Sequence, residues 1–338
     1  MVKRQLLAGV LVLTTLAAGG RAQQGPAPLR LVQSIPMPAG FVHFDHFGVD
    51  AKGGRLFATF EDHNTVEVFD LKTGKKLRSL TGFEVPHNVL YLQELNEVVI
   101  TDGAGTVSML RGDTLETIHT VKLARNADFV VYDAKTQLFY VTNGGHAANM
   151  TYALVSVIDL NGKHVGDIRV DGVHIEFLTG EKSGPRLFVN VADKHEVAVI
   201  DREKREVTSL WPLPDAEENL PLAVDEDRRR VFVVSRKPPA MFVLDGASGK
   251  VITSLPSVGD SDDMAYDARN RRIYVSGGEG YVSVFEQDDA DHYTVLGKVP
   301  SGPGGSTSVF VPELGRLYVG VRRGKNSAEL QIFEVVPK

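Results

Sequence analysis

Val131-Tyr132-Asp133, Leu138-Phe139-Tyr140-Val141-Thr142-Asn143 and Val155-Ser156-Val157-Ile158-Asp159 are three short runs dense in β-branched and aromatic residues. Turn-forming residues separate them. An Asn161-Gly162-Lys163 turn follows, then a fourth apolar run over residues 165–168. Such spacing predicts short strands joined by hairpins. Four strands alone cannot cover both faces of their own sheet, so the unit needs neighbours of its own kind.

The neighbours are present. With Tyr140 as anchor, equivalent residues fall at Phe57, Val99, Phe188, Phe232, Tyr274 and Tyr318, at intervals of 41 to 48 residues. That period predicts a four-stranded propeller blade. Asp50, Asp133, Asp225 and Asp267 each precede their anchor by seven residues, where a hairpin turn favours an Asx side chain. The third strand repeats over 66–70, 106–110, 155–159, 197–201, 241–245, 282–286 and 330–334. The fourth repeats over 76–80, 117–121, 165–168, 207–210, 251–255 and 295–299. The seventh unit lacks a fourth strand after Val336. Leu29-Arg30-Leu31-Val32-Gln33-Ser34-Ile35 is available to supply it and close the ring, leaving no open sheet edge. The predicted architecture is all-β: one seven-bladed β-propeller over residues 29–338.

Tyr140-Val141-Thr142-Asn143, followed by a Val-x-Val-Ile-Asp strand and a Gly-Lys turn, resembles the YVTN-type seven-bladed propeller repeat. The resemblance covers nearly all of the chain after its leader. It implies the fold, and it implies little about activity, since binding proteins, surface-layer proteins and redox-enzyme subunits share the repeat. The Trp-Asp signature of another propeller class is absent; the single tryptophan is Trp211.

Residues 1–22 have the form of a signal peptide: Lys3 and Arg4, an apolar run over 6–18, and a small-x-small Gly20-Arg21-Ala22. Cleavage after Ala22 would leave residues 23–28 as a flexible lead. The apolar run is too short for a retained membrane helix. No cysteine is present, which excludes disulfides, thiolate ligands and a lipid-modified cysteine anchor. The expectation is an exported monomer of the periplasm or exterior, without a membrane anchor. Net charge is −6, and no basic run interleaved with aromatics appears, so nucleic acid is not an expected partner. Arg228-Arg229-Arg230 reads as a solvated hairpin tip. No phosphate loop, Gly-x-Ser-x-Gly or His-Glu-x-x-His occurs, so no nucleotide cofactor is expected.

Histidine is distributed unevenly. His43, His46, His87 and His174 lie just before predicted first strands, and His63, His146 and His195 in predicted loops between second and third strands. Both locations belong to one face of a propeller. Across the blades, one column ahead of the hairpin reads Asp45, His87, Asp128, His174, Leu220, Asp262, Ser306. His174 joins it only if the fourth hairpin is two residues longer than the rest. The adjacent column reads His46, Asn88, Phe129, Ile175, Pro221, Asp263, Thr307. These positions ring the mouth of the central channel.

Imidazoles and carboxylates there would suit a divalent metal such as Zn, Cu, Mn or Fe. His87, His174, Asp45, Asp128 and Asp262 are the expected metal ligands, with His87 and His174 at the centre. His43, His46, Arg125, Glu176 and Asp263 are expected to contact a bound ligand. Arg125 and Asn126, with Arg236 and Lys237, could hold an anionic ligand opposite the carboxylates, and Glu176 or Asp263 could serve as general base. The competing interpretation is a wet channel mouth that tolerates polar side chains. Two functional classes follow. One is a binding protein whose top face holds a metal, a small molecule or a protein partner. The other is a metal-dependent lyase, hydrolase or oxidoreductase.

Overall fold

The computed structural model describes residues 27–337 except residues 39, 41, 42 and 326; the predicted leader lies outside them. It consists of seven four-stranded antiparallel sheets spanning 44–80, 86–122, 130–170, 175–212, 217–256, 261–300 and 307–335, here blades one to seven. Blade seven takes its outermost strand from Leu29–Pro36, which runs antiparallel to Ala328–Val335 with Leu29 opposite Val335 and Pro36 opposite Glu329. The first and last described strands thus share one sheet, and the ring is closed.

The anchor residues explain why the sheets stack. Phe57, Val99, Tyr140, Phe188, Phe232, Tyr274 and Tyr318 all lie in second strands and are essentially inaccessible. Alternate residues of those strands point to opposite faces, so each blade presents apolar side chains to both neighbours. The result is seven apolar clusters, one at each blade-to-blade interface. Blades one and seven, for example, meet through Phe60, Phe69, Tyr318, Leu330 and Ile332. The expected Asx turns are formed: Asp50 accepts the Gly53 amide at 2.7 Å and Asp267 that of Asn270 at 3.1 Å. Outer strands carry the polar residues, as in Lys76–Leu80.

Buried tyrosine hydroxyls also tie blade to blade. Tyr318 donates to the Leu71 carbonyl at 2.6 Å across the seven–one junction. Tyr318→Phe removes that bond and leaves a buried acceptor behind. It should lower unfolding free energy by ~1–2 kcal/mol, measured by denaturant titration; an unchanged midpoint would mean the bond adds nothing to closure. Among the described residues no helix is long and apolar enough to cross a membrane.

Candidate functional site

The innermost strands do not run straight to the channel mouth. In blades one, two, four, five and six their pairing with the second strand slips between Phe44/Phe47, Pro86/Asn88, Ile175/Leu178, Asn219/Leu222 and Ser261/Asp263. A bulge leaves residues unpaired and re-aims their side chains. The bulged residues include Asp45, His46, His87, Glu176, Leu220 and Asp262, and these line one cavity of about 590 Å³ with Asp128 of blade three.

Register corrects one member of the ring. Blade four turns through Glu181, whose amide donates to the Arg186 carbonyl at 3.0 Å and whose carboxylate accepts the Arg186 amide at 3.2 Å. Glu181 occupies the place of the hairpin aspartate, so this hairpin is no longer than the others. Glu176 therefore shares the level of Asp45 and His87, and His174 precedes it by two residues. Phe177, rather than Ile175, falls beside His46.

Aromatic rings crowd the second level of the channel. The His46 ring lies 4.5 Å from Phe129 and 5.7 Å from Phe177, which are 4.0 Å from each other. Phe129 and Phe177 also wall a cavity of about 510 Å³ toward the opposite face, with Val131, Leu222 and Met264. The upper cavity and this one share no lining residue.

Two groups of donors converge in it. Asp45, Glu61 and His87 form one, and Asp45, His46 and Asp128 the other; within each, the donor atoms all lie within 4.8 Å of one another. His87 Nδ1 is 2.9 Å from Asp45 Oδ2 and 3.2 Å from Glu61 Oε1. His46 Nε2 is 3.4 Å from Asp45 Oδ1, while its Nδ1 sits 3.2 Å from both oxygens of Asp263. Asp263 is itself held by the Ser308 amide at 2.8 Å. It thus orients the His46 ring from behind, the arrangement that fixes a ligating imidazole. Asp128 is buried, and its Oδ1 has no hydrogen-bond partner.

Electrostatics follow from this crowding. Burial opposes charge on His87, yet its hydrogen bonds to Asp45 and Glu61 prevail and hold it near pKa 11. Burial likewise opposes a charged His46, but Asp263 and Asp45 raise it well above the ordinary imidazole range. Burial, then the negative charge of Glu176, pushes Asp128 up to about 8. Asp262 rises to about 7 by burial against the pull of Arg236, whose guanidinium lies 2.8 Å away. Glu61 is held below the carboxylate range, chiefly by its hydrogen bond to His87.

His174 lines the cavity but pairs with Glu176 at 2.7 Å, and neither His174 nor Asp262 belongs to a converging group. Asp263 lies behind His46. Arg125 pairs with Glu84 at 3.1 Å on the exposed surface, away from the cavity lining. His43 is also outside the lining, its amide 3.4 Å from Asp62. Glu61 was not among the residues singled out from sequence; it opens the short 3-10 turn Glu61–His63 between the second and third strands of blade one. His63 beside it was the available signal, since that loop shares the face of the other histidines.

Fold and site together define a closed seven-bladed β-propeller with a His/carboxylate cavity lined by its inner strands. The fold is similar to a chain of hydrazine synthase from Kuenenia stuttgartiensis, at 15% identity and TM-score 0.73, over 87% of this chain and 96% of that one. It is also similar to a chain of the mitotic checkpoint complex, at 10% identity and TM-score 0.75, with both chains covered fully. At such identities the likeness is one of fold. No family model and no curated protein matches the chain.

Proposed function

We propose that the protein is an exported binding protein that takes a divalent metal ion at the channel mouth, held first by Asp45, His46 and Asp128. The observation that carries this is the convergence of two oxygens and one imidazole nitrogen, with the imidazole steered by Asp263 and one Asp128 oxygen left unpartnered. Nitrogen and oxygen donors without sulfur suit Zn, Mn, Fe or Cu. Three protein ligands would leave positions open toward the cavity, where a small molecule or a partner side chain can approach from the top face. His87, Glu61 and His174 would then border the bound ion.

Elemental analysis of protein purified without chelator, beside His46→Ala/His87→Ala, tests the proposal. Metal should accompany the wild type near or above one equivalent and be lost from the variant. Equal content in both, or none in either across Zn, Cu, Mn and Fe, would return the cavity to a solvated channel mouth.

One observation favours the alternative, a metal-dependent lyase, hydrolase or oxidoreductase. Glu176 is held below the carboxylate range despite burial, chiefly by its hydrogen bond to His174, while Asp128 in the same cavity is pushed up to about 8. Two carboxyl groups with divergent proton affinities suit a general base and a general acid.

A further inference from the structure

We infer that the cavity takes two divalent cations side by side, bridged by the carboxylate of Asp45; this rests on the metal-binding proposal and extends it. Asp45 belongs to both converging groups and offers a different oxygen to each. Its Oδ2 faces His87 Nδ1 at 2.9 Å, with Glu61 Oε1 also 3.2 Å from that nitrogen. Its Oδ1 faces His46 Nε2 at 3.4 Å, with Asp128 completing that group.

Donor spacing decides between one ion and two. Ligands ~2.1 Å from one ion stand ~3.0 Å apart at a right angle, ~3.4 Å apart at the tetrahedral angle and at most ~4.2 Å apart. The spacings around each Asp45 oxygen match the first two values. Among the described residues, however, no group containing both His46 and His87 has its donors within 4.8 Å of one another. In this arrangement a single ion therefore cannot use both imidazoles together with a third of these side chains. Two ions can, one on each oxygen of Asp45, at the ~3.5–4 Å separation common to paired-metal centres.

The donor set is also balanced for a pair. Each position has one imidazole and one carboxylate of its own, Glu61 with His87 and Asp128 with His46, in addition to the shared Asp45. Asp128 Oδ1 is unpartnered on a side chain more than nine-tenths buried, and it borders the cavity. Glu61 comes from a loop rather than from the inner strands, so the two positions depend on different elements and can be removed separately.

Titration of the full chain with Mn²⁺, followed by calorimetry and electron paramagnetic resonance, tests the pair. The wild type should take two equivalents and show an exchange-coupled signal. Glu61→Gln and Asp128→Asn should each take one equivalent and show the signal of isolated Mn²⁺; the double variant should take none. One equivalent in the wild type with an isolated-ion signal would overturn the pair while leaving single-metal binding intact. No uptake by the wild type would overturn both. The wild-type spectrum alone decides the question should a variant fail to fold.

Discussion

Asp45→Asn is expected to abolish metal-dependent stabilisation of this protein. A ligand bound only by the folded state stabilises it by ~2.7 kcal/mol when its concentration is 100-fold above Kd. The wild type should therefore melt at a clearly higher temperature with saturating Zn²⁺ or Mn²⁺ than in chelator. Asp45→Asn should melt at the same temperature in both. The residue has this leverage because it stands between the two histidines, one oxygen toward each. Replacement at His174 or Asp262 should preserve most of the metal-induced shift, since each is already engaged, with Glu176 and Arg236 respectively. Scanning calorimetry checks the prediction. A metal-induced shift in Asp45→Asn as large as in the wild type would remove Asp45 from the centre.

The amide exchange at Asp45 should not endanger the fold. Asp45 sits in the bulge at the start of blade one's inner strand, where it borders the cavity. The propeller is held instead by the seven interfaces between blades, to which all four strands of a blade contribute. Site and scaffold are thus largely separable, and a loss of metal can be assigned to the missing oxygen.

The architecture was legible because it is repeated. Each blade needs the same large side chain at the same place in its second strand, so Phe57, Tyr140, Tyr274 and Tyr318 mark a period that no single strand would reveal. Ring closure by residues 29–35 followed from counting strands, and the pairing of Leu29 with Val335 is the physical outcome. The channel mouth was legible in part, because Asp45, His87, Asp128 and Asp262 keep a constant distance from their anchors. Blade four departed where a marker was missing. Glu181 stands in for the hairpin aspartate, and once that substitution is recognised Glu176 moves into the ring and His174 out of it. The contacts that organise the site were not legible at all. His46 and Asp263 are 217 residues apart and meet from blades one and six. Glu61 reaches His87 from a loop whose course no period constrains. Nor does spacing indicate that Phe129 and Phe177 pack against the His46 ring, because that depends on how far rings from neighbouring blades reach across the channel.

Held in chelator, the protein should lose stability as pH rises from about 6 to 9, and bound metal should cancel or reverse that trend. The sign follows from which state holds more protons. Asp128, raised to about 8, and Asp262, raised to about 7, both stay protonated in the folded chain where the unfolded chain has lost the proton. Their stabilising contribution is therefore present at low pH and declines as pH climbs from about 4 through those values. Asp45 is raised too, by burial against the pull of His46 and His87, and adds the same sign. His87 keeps its proton to about 11, so its contribution is complete below the unfolded value near 6.5 and is lost as pH rises through 11. The lowered groups, Glu61 and Glu176, act only below about 4.5 and lie outside this window.

Asp128 and His87 are both about nine-tenths buried, so solvent does little to screen them. Each contributes ~1.4 kcal/mol per pH unit over its own window, and mutual compensation within the cluster leaves a total on the order of 3 kcal/mol. For a domain of this size that is a fall in Tm on the order of 5 °C. A divalent ion does the opposite. It needs neutral imidazole and ionised carboxylate, so it binds better as His46, His87 and Asp128 give up their protons. Melting curves in chelator and in saturating Zn²⁺ across this range should therefore diverge with rising pH. Curves that stay parallel would mean that the protons on these groups and the metal do not compete for the same atoms.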